Sequence, residues 1–91
     1  MAYQIEWSPT ALEDVEVIAG YIARDSMSYA AAVIKKILDV TDELSKDPYS
    51  GKPVPEFDDK NVREFAAFSY RVIYRIKGEK ITIASVIYKE R

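Results

Sequence analysis

From Val62 to Tyr88 the chain reads VREFAAFSYRVIYRIKGEKITIASVIY, three stretches in which apolar and polar residues alternate. Side chains in a strand point alternately to opposite faces, so this pattern commits the chain to a sheet with one buried and one open face. The clearest unit is Tyr70–Lys77. Tyr70, Val72, Tyr74 and Ile76 share one face, and Arg71, Ile73 and Arg75 the other. Gly78–Glu79 then reads as a two-residue hairpin turn with Gly at its first position. Pairing Lys77 with Lys80 sets Ile76 opposite Ile81, Tyr74 opposite Ile83, Val72 opposite Ser85 and Tyr70 opposite Ile87. One face is then apolar, and the other carries Arg71, Ile73 and Arg75 beside Thr82, Ala84 and Val86. Val62–Ala67 precedes as the first strand of a three-stranded antiparallel meander ending at Tyr88.

The apolar face of that meander needs a cover, and the upstream sequence supplies one. Tyr3–Trp7 alternates and reads as an N-terminal strand. Ser8 suits an N-cap and Pro9 the first helical position. Leu12, Val15, Ile18, Ala19 and Ile22 recur at helical spacing to about Arg24, and Gly20 within the stripe suggests close packing against a neighbouring helix. Ser28 is the expected N-cap of a second helix from Tyr29 to about Lys46, with Ala30, Val33, Ile34, Ile37, Val40 and Leu44 on one face. Asp47–Asn61 is irregular, with Pro48, Pro53 and Pro55 keeping it extended. Its neighbouring Asp58 and Asp59 read as a solvated loop, since adjacent residues of an extended chain point apart. The expected fold is α+β: an N-terminal strand and an α-helical hairpin packed on one face of a sheet completed by the C-terminal meander. The 91 residues form one domain, 1–91.

The chain has no cysteine and no histidine, which removes disulfides, thiolate nucleophiles, Cys/His zinc sites and imidazole acid–base chemistry. No metal or cofactor is expected. No apolar run approaches the ~20 residues that span a bilayer, so a soluble, cytoplasmic protein is expected, with no membrane partner. Charge is uneven. Residues 1–61 hold 6 Lys/Arg and 12 Asp/Glu, whereas residues 62–91 hold 7 Lys/Arg and 3 Asp/Glu. The basic C-terminal third reads either as a solvated strand face or as a binding face for an anionic partner. An acidic pI of about 5.1 does not suit strong nonspecific nucleic-acid binding.

Several segments together resemble the RelE/ParE superfamily of toxins from bacterial type II toxin–antitoxin (plasmid-stabilisation) modules. WSPTALEDVEVIAGYI resembles the family's opening strand and helix, DPYSGKPVPE its loop after the second helix, and VREFAAFSYRVIYRI followed by ITIASVIYKER its last three strands. The resemblance covers nearly the whole chain. It implies a cognate antitoxin, a toxin–antitoxin hetero-oligomer, and one of two targets. ParE-like members block DNA gyrase; RelE-like members are ribosome-dependent mRNA endoribonucleases that use Lys, Arg and Tyr. Arg71 matches the family's strand arginine, and Arg91 a basic residue past the last strand. Where RelE-like members place lysines, this chain has Val62 and Glu64, and the RelE-like C-terminal extension carrying a catalytic Tyr has no counterpart. These departures favour a ParE-like inhibitor over a ribonuclease, with an inactive toxin-fold interaction module as a further alternative. The candidate target-binding residues are Arg63, Arg71, Arg75, Lys89 and Arg91. A ribonuclease would instead rely on Arg71, Arg91 and Tyr88.

Overall fold

The computed structural model describes residues 2–89. Strand β1 (Gln4–Trp7) leads into helices α1 (Pro9–Ala23) and α2 (Met27–Leu44). A single 3₁₀ turn (Pro48–Ser50) follows, then the short strand β2 (Lys52–Pro53) and the meander β3 (Val62–Ala67), β4 (Tyr70–Lys77) and β5 (Lys80–Tyr88). The two helices pack on one face of a five-stranded mixed sheet of order β1-β5-β4-β3-β2. β1 runs parallel to β5, which the two intervening helices allow, and the other pairs are antiparallel. The core lies between the helices and the sheet. It is filled by Val33, Ile37 and Leu44 from α2 and by Val72, Tyr74, Ile81 and Ile83 from the sheet. Tyr3, Ile5 and Trp7 pack at its edge. No helix among the described residues is long and apolar enough to cross a membrane.

The helix starts show how local chemistry sets the boundaries. Ser8 caps α1 by accepting the Ala11 N–H at 3.0 Å, as expected. α2 begins earlier than its apolar stripe suggested. Its cap is Ser26, which accepts from the Tyr29 N–H at 3.0 Å, while Ser28 lies within the first turn and bonds to the Ser26 hydroxyl. A chain with serines at both positions leaves the choice to the tertiary path. Thr41, buried in the α2 face, satisfies its hydroxyl on the Ile37 carbonyl at 2.7 Å. The expected reason for Gly20 is not found. A Cβ there would meet nothing within 4 Å, because the position faces away from α2 and the sheet.

β4 and β5 keep the expected register from Lys77–Lys80 to Tyr74–Ile83. Ala84 then bulges, and pairing resumes as Ile73–Ser85, Val72–Val86, Arg71–Ile87 and Tyr70–Tyr88. One extra residue exchanges the faces, so Val86 enters the core at 3% exposure and Ile87 turns out at 39%. Val86 and Ile87 are adjacent and both apolar, so alternation alone accommodates either choice. The tie is broken by α1. β1 ends at Trp7, leaving the far half of β5 without a strand on that side. Ser8 Oγ donates to the Ala84 carbonyl at 2.9 Å, and the Val86 N–H donates to Asp14 Oδ2 at 2.9 Å. These bonds hold α1 close to β5, so the small Ala11 is fully buried there while Leu12, expected in the core, is exposed to one side.

The irregular segment between α2 and β3 contains the strand that alternation did not reveal. β2 is only Lys52–Pro53 and lies on the sheet edge, where a proline is tolerated. Tyr74 fastens this segment. Its buried phenol donates to the Pro48 carbonyl at 2.7 Å and accepts the Gly51 N–H at 3.2 Å. A side chain at Gly51 would collide with Tyr74 Oη and come within 2.6 Å of the Glu64 carbonyl, so only glycine permits this approach. The two hairpin turns differ. Gly78 takes φ of 61° at no steric cost, whereas the equivalent position of the β3–β4 turn is Phe68 at φ of 57°. Phe68 lies edge-to-face on Tyr29, with centroids 5.5 Å apart.

Candidate functional site

The open face of the sheet is built from the residues that alternate away from the core: Val62, Glu64 and Ala66 on β3, Arg71, Ile73 and Arg75 on β4, and Thr82, Ser85 and Ile87 on β5. Arg71 lies across from Ala66, whose small side chain leaves room for the guanidinium to lean along β3 toward Glu64. Nε donates to Glu64 Oε1. At the other end Nη1 and Nη2 donate to the two carboxylate oxygens of Glu56, at 3.1 and 3.0 Å. The Arg71 and Glu64 side chains are 20% and 17% exposed, and Glu56 is 60% exposed. Charge-assisted bonds of this kind are the strong ones. They raise the Arg71 pKa above the ordinary arginine range, Glu56 contributing most and Glu64 next. The Arg71 guanidinium in turn holds the Glu56 carboxyl below the usual carboxylate range.

Beside this trio is a depression of about 320 Å³ lined by Ser50, Gly51, Lys52, Glu64, Arg71 and Lys89. Lys52 sits there because β2 pairs it with Glu64. Lys89 sits there because its N–H bonds the Ser69 carbonyl at 2.7 Å and prolongs β5 past Tyr88. Arg75 occupies the other end of the open face, next to a depression of about 690 Å³ with Phe57, Ile73 and Thr82. It is exposed and has no ion pair among the described residues.

The remaining candidates are elsewhere. Arg63 pairs with Tyr74, so it projects from the helix side of the sheet. There it donates to the Gly51 and Lys60 carbonyls at 3.1 and 2.8 Å, and its guanidinium lies 5.2 Å from the Tyr49 ring centre. These bonds hold the same loop that Tyr74 holds. Tyr88 pairs with Tyr70, and is therefore also on the face opposite Arg71. It is exposed and stacks edge-on against Tyr70, with centroids 5.8 Å apart. Arg91 lies outside the described residues. The structure thus brings Arg71 and Lys89 together, sets Arg75 along the same face, and separates Arg63 and Tyr88 from them. Asp59 makes a local turn, accepting the Asn61 N–H at 2.9 Å, and no group of three or more carboxylates among the described residues is placed to hold a metal.

Lys52, Glu56 and Glu64 were not among the expected site residues. Glu64 could have been found: the two-residue Phe68–Ser69 turn pairs Ala66 with Arg71 and so sets Glu64 diagonally beside it on one face. Glu56 belongs to an irregular loop, and no sequence periodicity reports on its position.

The same fold is found in solved toxin structures. The chain superposes on a chain of the chromosomal ParDE system from Pseudomonas aeruginosa with a TM-score of 0.77 and 20% identity, covering 98% of each chain. A YoeB/ParE toxin from Agrobacterium tumefaciens gives a TM-score of 0.69 and 17% identity, over 96% of this chain and 99% of that one. The RelBE2 toxin–antitoxin complex from Mycobacterium tuberculosis gives 0.64 and 22%, over 98% of this chain and 100% of the matched one. In sequence, the chain is 32% identical over 87 residues to the toxin-like protein Y4kP of Sinorhizobium fredii, covering 93% of this chain and 86% of that protein. The pattern of the ParE toxin family of type II toxin–antitoxin systems (parDE) matches residues 5–91, and the chain belongs to that family.

Proposed function

We propose that this toxin acts in the cytoplasm by binding DNA gyrase and blocking it, and that a cognate antitoxin holds it inactive in a hetero-oligomer. The observation that carries the choice of target is the pairing of Arg71 with both Glu56 and Glu64. Cleavage of RNA without histidine needs positive charge concentrated on the transition-state phosphate. Here the strand arginine is countered by two carboxylates, and Tyr88 projects from the opposite face of the sheet. A binding inhibitor needs no such concentration of charge. The antitoxin partner is supported by the family match and by neighbours whose structures are of toxin–antitoxin systems.

The test pairs two assays on the purified chain. The expected result is loss of gyrase supercoiling activity with no cleavage of ribosome-bound mRNA, together with growth arrest when the chain is expressed without antitoxin. Cut mRNA with unaffected gyrase would instead make the chain a RelE-like ribonuclease. Normal growth at good soluble expression would make it an inactive interaction module.

A further inference from the structure

We infer that Glu56 is an internal stand-in for a carboxylate of a partner protein, and that the Arg71 site takes an acidic segment of that partner once Glu56 moves away. The two carboxylates on Arg71 are not equivalent. Glu64 is fixed on β3, largely buried, and holds Nε. It orients the guanidinium. Glu56 comes from the loop between β2 and β3, is mostly exposed, and occupies the outward-facing Nη pair end-on. That bidentate position is the one an incoming carboxylate takes on an arginine. Arg71 is the one hydrogen-bond partner of the Glu56 carboxylate among the described residues, and an ion pair this exposed contributes little net stability.

Displacing Glu56 leaves Arg71, Lys52 and Lys89 around the depression with Glu64 beneath them. That surplus of positive charge fits one or two carboxylates. A nucleic acid would bring a train of phosphates toward a body whose first 61 residues hold twice as many acidic as basic groups. Ile87, across from Arg71 and partly exposed, gives an apolar neighbour for the side chains that flank an acidic residue in a peptide. With Glu56 displaced, Glu64 still holds Arg71 Nε, so the strand arginine remains countered by one carboxylate.

The Arg71 Nε–H signal in nuclear magnetic resonance tests it, using the full chain and two probes: a blocked hexaglutamate peptide and hexauridylate. A latch closed about nine-tenths of the time weakens apparent affinity about tenfold. Glu56→Gln is therefore expected to bind hexaglutamate about tenfold more tightly than the unaltered chain, with the Arg71 signal shifting in both. Equal affinities would show that Glu56 is no latch. Absence of any Arg71 shift in both proteins, or tighter binding of hexauridylate than of hexaglutamate by Glu56→Gln, would likewise overturn the assignment.

Discussion

Both margins of the sheet are completed by polar side chains where strand pairing runs out, yet they are built in opposite senses. At the β5 margin the anchors, Ser8 and Asp14, sit on a rigid helix and reach for strand backbone at Ala84 and Val86. At the β3 margin the anchors, Tyr74 and Arg63, sit on the sheet and reach for loop backbone at Pro48, Gly51 and Lys60. The first arrangement joins two regular elements and produces core, with Ala11 and Val86 buried between them. The second secures both flanks of an irregular segment and leaves Glu56 and Phe57 in solvent between them. A loop held at both flanks but exposed at its tip can place a carboxylate over Arg71 without locking it there. Fold is kept at one margin and adjustable chemistry at the other.

The sharpest way to break this contrast is at Gly51, where loop and sheet approach most closely. Gly51→Ala forces a Cβ against Tyr74 Oη and the Glu64 carbonyl. The expected cost is about 2–4 kcal/mol, because backbone cannot yield as a flexible side chain can. Urea denaturation measures it. An unchanged midpoint would mean that the loop is not held as described.

At the other margin, Asp14→Ala leaves the Val86 N–H without its acceptor at a nearly dry position. The expected loss is about 1–3 kcal/mol, the cost of an unsatisfied buried donor. Asp14→Asn keeps a side-chain oxygen and is expected to lose less. If the two substitutions cost the same, charge rather than the hydrogen bond holds α1 to β5.

These two margins are also where reading the residues stopped being sufficient. Between them, alternation and the Gly78–Glu79 turn were enough to place Tyr74 against Ile83 and Ile76 against Ile81, and to put Arg71 on the open face. Past Ile83 the same logic chose Ile87 for the core, because nothing local to β5 announces that Asp14, distant in sequence, will take the Val86 N–H. The site divided in the same way. Arg71 was visible through the period of its strand. Its countercharge at Glu64 was implicit in the β3–β4 hairpin, and Glu56 was hidden in a segment whose path depends on Tyr74 and Gly51. Arg63 was counted with the other arginines for its charge, although alternation already set it on the opposite face, where loop carbonyls take up its donors.

A smaller effect tests whether α1 works through one face alone. Gly20 is helical and faces open space, so Gly20→Ala is expected to stabilise the protein by about 0.5–1 kcal/mol through helix propensity and the unfolded-state entropy of glycine. Thermal unfolding measures the gain. Because the site is away from the Asp14–Val86 bond, the gain is expected to be the same in the Asp14→Ala background. A loss of stability would show that α1 has a second packed face.

The smallest expected effect concerns the adjustable margin itself. Arg71 depresses the pKa of Glu56 in the folded chain. The folded state therefore takes up this proton less readily than the unfolded state. Its stabilising contribution is complete above the ordinary glutamate value of about 4.3 and fades as pH falls through the lower folded value. Glu56→Gln removes that contribution at every pH. The unaltered chain is then expected to be slightly more stable than Glu56→Gln near neutrality, with the gap closing below about pH 4 and shrinking in high salt, since the pair is exposed. Paired thermal melts across that range measure it. A gap that persists in acid would mean that Glu56 holds the loop by packing rather than by charge, and the two margins of the sheet would then be alike.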